Sequence, residues 1–143
     1  MSATTAPSTE RPARIGIVCQ SEGAAANAVP QLIEQLGLEP LKLAGVAGTG
    51  LARFDRLRDL DFAIVVLSAD QSLTTPGFLL EIGFLLGSIG RERICLVLDG
   101  QPALMPELDG AKRVAVDDGG LWRLLLAREM KKAGLAVDLN RAV

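Results

Sequence analysis

Five short apolar, β-branched runs punctuate the chain, at residues 14–19, 38–43, 61–67, 93–98 and 112–116. Each is too short for a helix and is bounded by turn-forming residues, so each predicts a strand. Between them, apolar positions recur at helical spacing over 27–36, 51–60, 76–89 and 121–133. Strands alternating with helices predict a parallel sheet covered on both faces. The stretch 100–110 carries two prolines and two glycines, which predict a loop or one short turn. Pro30 is compatible with the first turn of a helix capped by Asn27. In the last helix, Trp122, Leu125, Leu126, Met130 and Ala133 share a face, so Trp122 is expected in the core, with Gly134 as the stop. No internal repeat is visible.

Composition narrows the chemistry. A chain of 143 residues, 49% hydrophobic and 22% charged, reads as one globular domain able to bury roughly 70% of its unfolded surface. Residues 1–13, rich in Ser, Thr, Ala and Pro, read as a disordered tail without a secretory signal, and 14–143 as the domain. A net charge of −2 with interspersed signs offers nucleic acid and membrane surfaces no attraction. Cys19 and Cys95 sit in strand candidates, as buried thiols of a reduced, cytoplasmic protein do. With no histidine and no tyrosine, histidine-based catalysis and histidine metal sites are excluded, and no metal is expected. What remains is carboxylates, Lys, Arg, Ser, Thr and backbone.

One carboxylate stands apart. From Gln71 to Gly90 the sole charged residue is Glu81, in the run Pro76-Gly-Phe-Leu-Leu-Glu-Ile-Gly-Phe-Leu-Leu-Gly87. At about 100° per residue, Phe78 and Leu85 lie on one side of it and Phe84 on the other, and the helix is apolar nearly all round. Such a helix is expected to be buried, and a buried carboxylate is costly unless it is paired or used. Gly83, Gly87 and Gly90 share a stripe opposite Glu81, which predicts close approach of the helix to the sheet. The run is too short and interrupted to span a membrane.

In an open parallel α/β sheet, ligands bind at the carboxyl ends of the strands, where strand order reverses. Three loops are expected to meet there: one carrying Gln20 and Ser21, a glycine-rich one at 45–50 that includes Gly48, and one carrying Ser68 and Asp70. With Phe78 beside Glu81, these are the candidate substrate-binding residues. The glycine-rich loop is neither a Walker loop nor a G-x-G-x-x-G fingerprint, and a plain loop accounts for it equally well.

The segments Leu36-Gly-Leu-Glu-Pro-Leu41, Asp61-Phe-Ala-Ile-Val-Val-Leu-Ser-Ala-Asp70, Glu81-Ile-Gly-Phe-Leu-Leu-Gly-Ser-Ile-Gly-Arg-Glu-Arg-Ile-Cys-Leu96 and Pro106-Glu-Leu-Asp-Gly110, in this order, resemble the TIR-like effector domains of prokaryotic cyclic-nucleotide antiphage signalling. The resemblance implies a flavodoxin-like, three-layer α/β fold with a five-stranded parallel sheet. It also implies self-association into homo-oligomers, a separate sensor protein as partner, and cleavage of NAD at the nicotinamide-ribose bond with Glu81 as the catalytic residue. NAD is then substrate, and no cofactor is called for. Nicotinamide in NAD is cationic and departs neutral, so one carboxylate suffices without a second acid.

Where relatives carry His-Gly after the first strand this chain has Gln20 and Ser21. Where they carry Arg-x-Arg-Gln-Asn before the glutamate it has Leu73-Thr-Thr-Pro-Gly77. These replacements support a second reading, a TIR-like nucleotide-binding or assembly module without catalysis. A third is a nucleoside deoxyribosyltransferase-like enzyme, which also places a glutamate on a helix beside an α/β sheet; exchange of bases between nucleosides distinguishes it.

Overall fold

A computed structural model of the chain describes residues 12–19, 23–42, 54–55, 57–68, 76–102 and 106–142. The five apolar runs form β1 (Arg14–Cys19), β2 (Glu39–Lys42), β3 (Phe62–Ser68), β4 (Ile94–Asp99) and β5 (Lys112–Ala115). All pair in parallel in the order β2-β1-β3-β4-β5, the flavodoxin-like arrangement, which reverses direction between β1 and β3. The central strand β3 is buried from Phe62 to Leu67 because both its faces are covered.

The pleat divides the core in two. Ile15, Ile17, Phe62, Ile64, Val66, Cys95 and Val97 face one way. They meet α1 (Ala24–Gln35) through Val29, Leu32 and Ile33, and α3 (Leu121–Lys132) through Trp122, Leu126 and Met130. Val18, Ala63, Val65, Leu67, Ile94 and Leu96 face the other way. They meet α2 (Pro76–Ser88) through Phe78, Ile82 and Leu85, together with Phe54, Leu57 and Leu60. The result is the expected three-layer sandwich, with α1 and α3 on one side and α2 on the other.

Helix ends follow simple rules. Gly37 at φ 82° and Gly134 at φ 103° follow α1 and α3. The N–H of Leu38 donates to Ile33 O and that of Leu135 to Met130 O, the reverse-turn bonds that close a helix C-terminus with a left-handed glycine. Asp117 closes the start of α3: its Oδ1 accepts from Trp122 N at 2.8 Å and its Oδ2 from Leu121 N at 3.3 Å. A short 3-10 turn at Pro106–Leu108 is the single turn expected between the last two strands.

The structure corrects four expectations. The first helix starts at Ala24, not Asn27. Three alanines, the strongest helix formers, extend it forward, and Asn27 N already donates to Gly23 O at 3.0 Å, so Asn27 lies inside the helix and Gly23 flanks it without a side-chain cap. Pro30 is therefore interior, where the Ala26 carbonyl receives no N–H from residue 30. Among the described residues of the 51–60 stretch, Phe54, Asp55 and Leu57 take 3-10 rather than α-helical geometry. The buried residues Phe54, Leu57 and Leu60 recur every three positions, which suits three residues per turn. Lastly, α2 is not buried all round: Leu80 is 55% exposed, and Gly83 and Gly87 are exposed with open space where a Cβ would stand, so this stripe makes no close approach to the sheet.

Candidate functional site

Helix α2 leaves the carboxyl edge of the sheet after β3 and runs back across β1, β3 and β4. Phe78, Ile82 and Leu85 point inward, so a helical wheel fixes where Glu81 must lie: on the shoulder of the buried face, about 60° from Phe78 around the axis. Glu81 is 8% exposed and is the one buried polar or charged residue among those described. It stands five residues beyond Pro76, about 7.5 Å along the axis, which keeps it near the carboxyl edge. Removing a carboxylate from water is expensive, and residues 76–88 hold no cation to offset it within the helix.

The other candidates separate. Phe78 is 4% exposed and packs in the apolar cluster between α2 and the sheet, so its ring serves the core. Ser68 ends β3 half-buried, and by alternation with Ile64 and Val66 it belongs to the α1 and α3 side of the sheet, opposite to Glu81. Gln20, Ser21, Gly48 and Asp70 lie outside the described residues.

Two polar side chains at the carboxyl edge escape sequence reasoning. Asp99, the last residue of β4, is the register partner of Ser68 and falls on the same face. Lys42 ends β2, and its Nζ donates to Asn27 Oδ1 at 3.3 Å, tying the strand end to the first turn of α1. The signal available was positional: each polar residue closes an apolar run, and a strand extended by one residue would have included Asp99.

Thiol chemistry is excluded at Cys95. Burial at the centre of the sheet, aided by the nearby Glu129 carboxylate and opposed by Lys112, pushes its thiol up to about 12. Among the described residues no group of three or more Cys, Asp or Glu side chains is placed to hold a metal, and no described helix is long and apolar enough to cross a membrane.

This arrangement, a parallel five-stranded sheet with a buried glutamate on the helix after the third strand, has known relatives. The chain is 26% identical over 145 residues to an Escherichia coli K12 protein described as uncharacterized protein YuaY, an alignment covering 91% of this chain and 48% of that protein. The chain thus spans about half the length of that relative. The family model for the CAP12/Pycsar effector protein TIR domain matches residues 14–118, from the first residue of β1 to the turn before α3. The chain therefore belongs to the TIR-domain family of CAP12/Pycsar effectors.

Proposed function

We propose that the chain is an NAD glycohydrolase that acts in a self-assembled state, with Glu81 as the carboxylate at the reacting ribose. The observation that carries this reading is the burial of Glu81 at 8% exposure on a helix with no other charge, in a TIR domain of an effector family. A carboxylate held out of water acts strongly on nearby positive charge. As the bond between C1′ and the nicotinamide nitrogen breaks, its electron pair neutralises the pyridinium and positive charge grows on the ribose. Glu81 orients the ribose and stabilises that charge, while a water oxygen bonds to C1′ and releases its proton. Neither a leaving-group acid nor a cofactor is needed.

Incubating concentrated protein with NAD and measuring free nicotinamide tests this. Glu81→Gln keeps the shape and removes the charge, and is expected to reduce release by about 10²–10³-fold. Equal release by the variant, or none by the native protein at any concentration, sinks the reading.

A second reading is a nucleotide-binding or assembly module without turnover. It is favoured by the dispersal of the described candidates, since Phe78 is core and Ser68 belongs to the opposite face. Association driven by NAD with no nicotinamide released would establish it. The activating signal, from a separate sensor protein, is part of the proposal.

A further inference from the structure

Helix α1 packs over β1 and β2, and α3 over β5, so at the carboxyl edge the ends of β3 and β4 lie between the two helices. Two polar residues stand in that gap. Ser68 and Asp99 are register partners on neighbouring strands, about 4.8 Å apart, and both belong to the α1 and α3 side of the sheet. Each is half-buried, whereas Val66 and Val97, two residues earlier on the same face, are buried. Among the described residues, neither the Asp99 carboxylate nor the Ser68 hydroxyl has a hydrogen-bond or ion-pair partner. A carboxylate partly withdrawn from water and given no donor suits a ligand that brings donors of its own.

We propose that Ser68 and Asp99 bind the 2′,3′-diol of the ribose of a dinucleotide that does not react, and that they thereby admit NAD and disfavour its 2′-phosphorylated form. This rests on the reading above, in which the other ribose lies beside Glu81. A dinucleotide is two ribosides joined by a pyrophosphate, and in an open parallel sheet it crosses the carboxyl edge where strand order reverses, here between β1 and β3. Glu81 stands in the α2 layer on one side of that edge, and Ser68 and Asp99 stand on the other. A ligand with its reacting ribose at Glu81 and its pyrophosphate over the edge presents its second ribose to this pair. An ionised carboxylate only accepts, and its two oxygens can take both hydroxyls of a vicinal diol, while the Ser68 hydroxyl can donate or accept beside it. A 2′-phosphate removes one donor and sets its negative charge against that of Asp99. Lys42 offers little compensation. It ends β2, three strands from β4 and so roughly 14 Å away, beyond the screening length of physiological salt, and its ammonium donates to Asn27 Oδ1.

ADP-ribose and its 2′-phosphate carry the second ribose but no nicotinamide bond, so calorimetric titration of the full chain with each measures recognition without turnover. The native protein is expected to bind ADP-ribose about tenfold or more tighter than the 2′-phosphate. Asp99→Asn should bring the ratio close to one, by weakening the first and strengthening the second, and Ser68→Ala should weaken ADP-ribose binding several-fold. Far-UV circular dichroism confirms that each variant is folded. Binding of neither compound, equal binding of both by the native protein, or an Asp99→Asn variant that weakens both alike, as a merely structural carboxylate would, overturns the proposal. Its failure is separable from that of the catalytic reading. Cleavage of NAD and its 2′-phosphate at equal rates sinks this inference alone, and selective binding with no nicotinamide released from NAD sinks catalysis alone.

Discussion

A free thiol gives up its proton near pH 9, and Cys95 is kept from doing so. It is fully buried under α3, with Sγ donating weakly to Leu96 O at 3.6 Å, and its thiol is raised from 9.0 to about 12. The folded state therefore holds the proton more tightly than the unfolded chain does. The associated stability is complete below pH 9 and is lost as pH rises from about 9 towards 12. Urea unfolding of the native protein and of Cys95→Ala at pH 8 and pH 10.5 checks the sign: the native protein should lose stability relative to the variant at the higher pH. A constant difference would refute it. Glu81 is another buried ionisable group, and its standing as the sole charge between Gln71 and Gly90 was legible in the sequence without coordinates. What the sequence could not supply was parity. Ser68 looked like a neighbour of Glu81 because it precedes α2 in the chain, but the pleat sends its side chain to the opposite layer, and its register partner is Asp99.

Elements were legible where periodicity and length agreed. The strands carry β-branched residues on both faces, and α3 displays an apolar stripe ending in a glycine, so these were read to within a residue or two. Failures came where a weak local cue competed with a stronger one. Asn27 as a cap lost to the propensity of Ala24, Ala25 and Ala26, and the three-residue recurrence of Phe54, Leu57 and Leu60 looked helical but marks tighter turns. That last segment also explains a glycine in β1. A methyl group added at Gly16 would overlap Leu60 Cδ1, so the strand is pressed against the end of the 54–60 segment. Leu60 is flexible enough to yield to alanine but not to a branched side chain. Gly16→Val should cost about 1–3 kcal/mol by overpacking. Adding Leu60→Ala should recover part of that loss, because residues in contact are not additive. Thermal unfolding of the two single variants and the double variant measures this coupling; strict additivity would show that Gly16 and Leu60 do not constrain each other.

At the scale of the molecule, the open sheet edges decide whether copies can add to one another strand by strand. Open strands are templates for further strands, and a net charge of −2 provides little repulsion to keep molecules apart. Both edge strands, β2 and β5, are only four residues long. In β2 the N–H of Glu39 donates inward to Ala13 O at 2.9 Å, so alternation turns the next backbone nitrogen, that of Pro40, towards the open side. Proline has no hydrogen there to offer. The edge thus lacks a donor at the point where an incoming strand would need one, which disfavours open-ended strand addition. Pro40→Val restores the donor and adds a β-branched side chain while leaving the pairing of Ile15 with residue 40 in place. The variant should remain folded at room temperature, yet on mild heating it should scatter light and bind thioflavin T at concentrations where the native protein stays clear. If Pro40→Val is no more prone to aggregate than the native protein, the β2 edge is guarded by something other than its missing donor.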